Sequence, residues 1–478
     1  MNYKMIFRTL GHVLVVEAAL LLLPALVSLI YAEACLWAIL ATAGITLFAG
    51  LLLSFFCKKA SPVIYAKEGF AIVALCWIVM SAFGALPFVI SKEIPNYIDA
   101  FFEIVSGFTT TGATILTDVE KISKGLLFWR SFSHWIGGMG VLVFVMAIMP
   151  KISDRSIHIL RAEMPGHSVG KLVPKAKSTA RILYLIYIAL TLIEVILLLC
   201  GGMGLFESMV HSFGTAGTGG FSVKNTGLAE YSPYCQIVIT VFMLLFGINF
   251  NLFYLLLIRR AKSVFRSEEL WTYLGIFAAS TVVIAANIFG RFGNLSEAFR
   301  HSAFQVSSVM TTTGYTTADF NGWPDLSKAI LLILMMIGAC GGSTGGGLKV
   351  SRLVLLVKLV AREFRKMLHP SSVRTVRFEG KQVDEQTLSS VTGYFALYML
   401  CMLTVFLLIS FEPFGFESNF GIAVSSFNNI GPGFAASYSN CASYSAFSKL
   451  VLSFSMLLGR LEIFPLLITF SPSFRFKK

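Results

Sequence analysis

The sequence predicts an all-α integral membrane protein: an N-terminal helical hairpin followed by four repeats of span, half-crossing loop and span. Three observations predict it. Of 478 residues, 56% are hydrophobic and 13% charged, with a mean hydropathy of +0.77; a soluble domain carries about a quarter charged residues. Apolar stretches long enough to cross a bilayer, which takes about 20 residues, recur along the whole chain. A short Thr/Gly-rich string also lies between the two apolar stretches of each of four successive pairs, and a motif at a matched place in four units marks an internal repeat.

The hairpin, residues 1–57, contains Leu10–Ile30 and Cys35–Phe56, joined by a very short link. Its start is basic and then apolar, like a signal peptide. It runs straight into a second span without a small-residue cleavage site, so it is expected to be retained. The first repeat, 58–150, has spans Phe70–Ile90 and Leu127–Pro150. The second, 151–265, has Ile182–Cys200 and Gln236–Ile258. The third, 266–366, has Leu270–Phe289 and Ile330–Val360. The fourth, 367–478, has Thr392–Phe411 and Phe447–Phe470. The expected total is ten spans and four half-crossing segments.

Charge orients these spans. The net charge is +13, and the basic residues cluster at 58–67, 151–181, 259–266, 358–381 and 475–478, alternating with the strings. Basic loops stay in the cytoplasm, which places both termini inside and brings every string in from outside. The basic residues are dispersed between spans and no recognition module is present, so nucleic-acid binding is excluded. Membrane lipid is the expected surrounding. The eight cysteines show no CxxC spacing, hence neither a disulfide framework nor a metal site; Cys235 and Cys441 lie in external segments and are not expected to pair. No HExxH motif and no clustered histidines are present, so enzymatic chemistry is not indicated.

The strings carry the functional reading. They are Thr109–Thr114, Thr218–Ser222, Thr311–Thr316 and Asn428–Gly433. Glycine tolerates dihedrals other residues avoid, so carbonyls on either side of it can face one way. Carbonyl rings of that kind replace the hydration shell of potassium in channel filters. The candidate filter is Thr110, Thr111 and Gly112; Thr218, Gly219 and Gly220; Thr312, Thr313 and Gly314; and Asn429, Ile430 and Gly431. Potassium, the expected cargo, would be held at Thr111, Gly112, Gly220, Thr313, Gly314, Ile430 and Gly431. Acidic residues near the strings (Asp99, Glu103, Asp118, Glu120, Glu230, Asp319, Asp325, Glu412, Glu417) would raise the local cation concentration. Glu103 is the best placed of them to face the vestibule.

The second span of the third repeat is interrupted. Between Gly338 and Lys349 lie six glycines: Gly338, Gly341, Gly342, Gly345, Gly346 and Gly347, with Ser343 and Thr344 between them. Each costs a helix about 1 kcal/mol, and broken backbone at that depth must be buried in protein or line a cavity. Beneath the third string such a loop is a candidate gate, 338–348; tight helix packing through small residues is the competing reading. A phosphate loop is excluded, because no strand precedes it and no Gly-Lys-Ser/Thr ends it. Arg460 lies deep in the last span, where a charge seeks a cavity or a partner. Glu462, two residues on, does not face it well. Arg460 is expected to point below the filter and touch the 338–347 loop.

These features resemble the Trk/Ktr/HKT superfamily of potassium transporters. The resemblance rests on the four string glycines, Asn429-Ile430-Gly431-Pro432-Gly433, the Gly-Gly-Ser-Thr-Gly-Gly-Gly-Leu-Lys loop and Gly459-Arg460-Leu461-Glu462. The extra hairpin is similar to that of the bacterial TrkH-type branch. The resemblance implies pseudo-fourfold symmetry around one pore and potassium uptake across the cytoplasmic membrane. It also implies a gating loop in the third repeat, a homodimer, and a cytoplasmic TrkA-type nucleotide-binding regulatory subunit docked on the basic loops. No covalent cofactor is implied. Gly219 beside Gly220, and Pro432 without a donor, make the filter irregular, so sodium leakage is expected. The alternative is a symporter coupled to sodium or protons. Its proton relay would need carboxylates or histidines within spans, of which Glu17, Glu194 and His134 are the main ones; Glu17 is expected to lie away from the repeats.

Overall fold

The computed structural model describes residues 2–57, 66–140, 176–372 and 374–471. The basic positions 58, 59, 151–175 and 475–478, and the second half of the expected span 127–150, lie outside the described residues.

Among the described residues, six helices are long and apolar enough to cross a membrane: Tyr3–Ile30, Leu36–Phe56, Glu68–Ile90, Arg181–Cys200, Glu268–Phe292 and Glu385–Ile409. The hairpin helices lie against each other at Gly11 and Gly50. A Cβ on either would run into the other's carbonyl, the close approach small residues permit between membrane helices. Leu36–Phe56 turns Trp37, Phe48, Phe55 and Phe56 outward, a face suited to lipid rather than water.

Three expected spans depart from a straight helix. Gln236–Ile258 is two helices, Pro233–Phe246 and Phe250–Leu257, bent by 90°. Asn249 starts the second by accepting from the Asn251 amide. The backbone groups freed at the bend are taken up by the intramembrane loop: the Cys340 amide donates to the Gly247 carbonyl at 3.1 Å, and the Phe250 amide to that of Gly342 at 3.0 Å. Phe447–Phe470 is Ala446–Arg460 and Phe464–Phe470, bent by 119° through Glu462 (φ 51°) and Ile463 (φ 66°). A β-branched residue in left-handed backbone is a marked outlier. Ile330–Val360 is broken outright into Asp325–Ile337 and Val350–Leu368, as its glycines require. Counting each bent pair once, eight spans stand among the described residues, against the ten expected.

The all-α expectation also needs one amendment. A two-stranded antiparallel hairpin pairs Arg377 with Gln382 and Phe378 with Lys381. Glu379 and Gly380, both at positive φ, make the turn, a backbone suited to two-residue hairpins. Glu379 accepts from the Ser267 hydroxyl (2.9 Å) and the Glu269 amide (3.1 Å), tying the hairpin to the start of Glu268–Phe292.

Four shorter helices precede the strings: Tyr97–Phe108, Leu205–Gly217, Leu295–Met310 and Gly415–Phe427. Their C-terminal halves are almost wholly buried, and the core of the molecule is built around them.

Candidate functional site

All four short helices end in the same way. The residues at or just after their caps are Thr110, Thr218, Thr312 and Asn429, with φ of 57°, 57°, 60° and 59°. The amides of the next residues reach back to carbonyls five positions earlier: Thr111 to Ser106, Gly219 to Gly214, Thr313 to Ser308 and Ile430 to Ser425, at 2.7–2.9 Å. This is the Schellman arrangement, normally closed by glycine at the left-handed position. Here a β-branched threonine holds it three times, at about 1–2 kcal/mol each. Such strain persists where a side chain has a task.

One residue further on, Gly112, Gly220, Gly314 and Gly431 return to positive φ (80°, 74°, 83° and 106°), while Thr111, Gly219, Thr313 and Ile430 between them do not. Alternating handedness turns successive carbonyls to one side of the chain. The strings also meet. A Cβ on Gly112 would strike the Gly219 carbonyl, one on Gly220 that of Thr313, and one on Gly314 that of Ile430; one on Gly431 would crowd that of Thr111. First meets second, second meets third, third meets fourth and fourth meets first, so the contacts close. Four helix C-termini, each with partial negative charge, converge on this ring. Its electrostatics favour a cation without any carboxylate in it.

Each seam has its own fastening. Asn429 Nδ2 donates to Thr111 Oγ1 at 3.0 Å, joining fourth to first. The Tyr315 hydroxyl donates to the carbonyls of His211 (3.0 Å) and Phe221 (3.3 Å), joining third to second. Tyr438 reaches the Ala318 carbonyl at 3.3 Å, joining fourth to third. Glu103 and Arg130 join first to second.

Where the strings lead out of the ring is a cavity of about 170 Å³, bordered by Gly112, Gly220, Gly314 and Gly431. Its charged lining residues are Arg130 and Lys224, not acids. Glu103, expected to face the vestibule, does not border it. Glu103 is wholly buried and accepts from Arg130, the Thr114 hydroxyl and the Ile115 amide. Asp99 pairs with Lys449 and Asp118 with Lys121. Glu120 accepts from the Asn225 amide and Glu230 from Lys224. Asp319 accepts from the Asn321 amide, Asp325 and Glu417 pair with Lys328, and Glu412 accepts from Ser445 and Ser448. Short loops need their carboxylates as caps and braces.

On the opposite side the strings are covered by the intramembrane loop. Gly338 (φ 75°) ends the helix and Lys349 (φ 73°) opens the next. The Gly346 amide donates to Thr312 Oγ1 at 2.7 Å. Gly345 lies against the Thr311 carbonyl and Gly346 against that of Asn428. The Gly341 amide donates to Glu269 at 2.7 Å, Ser343 Oγ to the Cys340 carbonyl at 2.7 Å and the buried Lys349 to that of Gly345. Gly342 and Gly347 are also at positive φ. Thr344 bonds the Phe246 carbonyl through its hydroxyl at 3.2 Å.

Arg460 reaches this loop. It donates to the carbonyls of Thr344 (2.7 Å), Gly137 (2.5 Å) and Gly138 (2.7 Å). Glu462 instead pairs with Arg352 at 2.6 Å. A cavity of about 40 Å³ beneath the loop is bordered by Trp77, Lys349 and Arg460.

One further expectation changes. Glu17 is not remote from the repeats: its carboxyl sits against Gly84, beside Ile104 and Phe108 of the first short helix. His134 Nδ1 donates to the Gly107 carbonyl at 2.7 Å, and its ring backs Gly219. Sequence reasoning passed over Arg130, Glu269 and Asn249. Arg130 had a signal, a lone charge inside an apolar stretch; the other two sit at helix boundaries, where nothing marks a distant partner.

A family model described as TrkH, cation transport protein, matches residues 37–478. Among curated proteins, the Trk system potassium uptake proteins TrkH of Salmonella typhimurium and Escherichia coli are each 36% identical to this chain, with 99% of both chains covered. The Trk system potassium uptake protein TrkG of Escherichia coli is 32% identical over 99% of both. Among solved structures, the potassium transporter TrkH from Vibrio parahaemolyticus matches with a TM-score of 0.89 at 32% identity, covering all of both chains.

Proposed function

The chain belongs to the TrkH cation transport family, and from that premise we propose that it takes up potassium through a gated, channel-like pore whose selectivity filter is the closed ring of four strings. It is a multi-pass membrane transport protein and not an enzyme; potassium is its cargo. Its relatives are named as potassium uptake proteins, which supports the cargo. One observation carries the filter: four glycines in left-handed backbone, each seated on a carbonyl of a neighbouring string.

A dehydrated potassium ion in the ring exchanges water oxygens for carbonyls at Thr111, Gly112, Gly220, Thr313, Gly314, Ile430 and Gly431. Four helix C-termini add to the attraction. Inward movement of one charge gains about 2.3 kcal/mol per 100 mV, enough to concentrate potassium without ATP. The 338–348 loop is the gate. While it sits beneath Thr312 and Asn428, with Arg460 and Lys349 behind it, an ion leaving the ring meets backbone and two positive charges.

Residues 1–57 form an accessory hairpin, and 58–150, 151–265, 266–366 and 367–478 supply the four quarters in pseudo-fourfold array. The protein lies in the cytoplasmic membrane with both termini inside. It pairs with a second copy and docks a nucleotide-binding regulatory subunit on its basic face. Some sodium passes, because Gly219 and Pro432 make two quarters irregular.

The test is flux into proteoliposomes holding the purified chain, with voltage set by an ionophore. Potassium flux follows the potential and ignores reversal of sodium or proton gradients. Gly314→Ala forces a Cβ into the Ile430 carbonyl at a left-handed position and abolishes potassium preference. Flux that requires a second ion's gradient makes this protein a coupled transporter instead.

A further inference from the structure

We propose that the buried ion pair between Glu103 and Arg130 is a positioning device that holds the seam between the first and second strings and so sets discrimination between potassium and sodium. The proposal rests on reading the strings as the filter.

Arg130 Nε lies 2.5 Å from Glu103 Oε1, with side chains 2% and 0% exposed. Withdrawing two charges from water costs several kcal/mol per ion, offset only when further hydrogen bonds satisfy both groups. Those bonds go to the strings. Glu103 accepts from Thr114 Oγ1 at 2.9 and 3.0 Å and from the Ile115 amide at 2.9 Å. Arg130 donates to the Ser222 carbonyl at 3.2 Å, and its guanidinium lies 3.4 Å from the centre of the Phe221 ring. Thr114 and Ser222 each stand two residues beyond a ring glycine, on the outgoing arms of adjacent strings. On the same seam Gly112 is seated against the Gly219 carbonyl. The pair thus clamps both arms just outside the closest contact between the two strings.

The other quarters show that this is not a general requirement of the fold. Glu103 stands nine residues before its ring glycine. The corresponding residues are His211, Gln305 and Ile422. His211 Nε2 lies 3.3 Å from the Ser222 hydroxyl. The buried amide of Gln305 has no hydrogen-bond partner among the described residues, and Ile422 offers none. At this register the fastening runs from ionic, through imidazole, to nothing.

A smaller ion draws carbonyls inward, and a cage discriminates only as far as it resists. A pair held at fixed geometry in a low-dielectric site opposes that movement more strongly than a neutral contact does. Neither side chain touches the ion; both act through the arms.

The experiment is the bi-ionic reversal potential of potassium against sodium in proteoliposomes of the full chain, for wild type, Glu103→Gln, Arg130→Lys and the double variant Glu103→Gln/Arg130→Gln, with thermal unfolding midpoints in parallel. Each single variant is expected to lose about tenfold in potassium preference, or about 1.4 kcal/mol, and the double variant little more, because the pair acts as a unit. Folded variants that keep the wild-type ratio overturn the proposal. So do variants in which both fluxes fall by one common factor, which marks a purely structural brace. Gly314→Ala is run alongside. If it loses preference while the pair variants do not, the pair has failed and the filter stands; if it too keeps the ratio, the filter reading has failed.

Discussion

The amide of Gly346 donates to the hydroxyl of Thr312 across 2.7 Å, bonding the intramembrane loop directly to the third string. In the first and second quarters the matching hydroxyls turn back on the carbonyls of Thr109 and Gly217, at 2.7 and 2.6 Å. Removing the Thr312 acceptor should loosen the loop. Thr312→Val is expected to raise potassium flux in the absence of any regulatory partner by about three- to tenfold, the worth of one hydrogen bond, while Thr312→Ser stays near wild type. Equal fluxes in the two variants would separate the loop from gating.

Arg460 serves three backbone carbonyls on two segments that are otherwise distant in sequence. Arg460→Gln leaves Thr344 and the Gly137–Gly138 turn without their charged donor, at about 1.5–3 kcal/mol per bond. The expected result is partner-independent potassium flux raised by at least about tenfold, with a lower unfolding temperature. Arg460→Lys keeps the charge but not the spread of donors and should fall between. Flux measurements on the three proteins decide it.

Thr110 and Thr218 occupy left-handed positions that glycine fills without strain. Thr110→Gly and Thr218→Gly should each stabilise the fold by up to about 1 kcal/mol and at the same time lower potassium preference, because the hydroxyl and the fixed backbone are both lost. Thermal melts and reversal potentials on the same preparations test both directions. A variant that gains stability and keeps its preference would remove any task for the threonine.

Lys224 holds the Glu230 carboxyl below its ordinary range, helped by Thr226, and Glu230 holds the Lys224 ammonium above its own. A depressed carboxylate contributes its stabilisation above the ordinary value near 4.5 and loses it as pH falls through the lowered value. Hydrogen-exchange protection in the segment 222–231, taken relative to the intrinsic amide rate at each pH, should therefore fall below about pH 4.5 and stay flat between pH 6 and 8. Exposure keeps the effect small. A flat profile down to pH 3 would show that the pair holds nothing in place.

Much of the site could be read before the fold was known. The strings announced themselves because a carbonyl ring demands glycine at fixed intervals, and glycines 338–347 could not continue a helix. Arg460 was legible because a charge at mid-membrane depth must find partners. Other features were hidden for physical reasons. The bends at Gly247–Asn249 and Leu461–Ile463 lie inside stretches long enough to read as single spans, and they exist because the loop docks there or because Arg352 draws Glu462 aside. Glu103 reads from the sequence as a vestibule acid, since its place on the short helix is clear there and its partner is not. Arg130 lies 27 positions further along the chain, and no local pattern joins them. Thr312 was recognised as a string residue, but its role as the loop's anchor follows only from tertiary contact.

The register that holds Glu103, His211, Gln305 and Ile422 bears on how such a ring can evolve and be engineered. A ring made of four identical chains receives every substitution four times over. It must accept four carboxylates and four guanidiniums or none. A single polypeptide is free of that rule. Each quarter is a separate locus, so one seam can be stiffened while its neighbour is left compliant for a gate to lean on. Selectivity then becomes a property adjustable in quarter steps. Installing the ionic fastening at one further seam after another would give a graded series of proteins, a titration by genotype that a symmetric tetramer cannot offer.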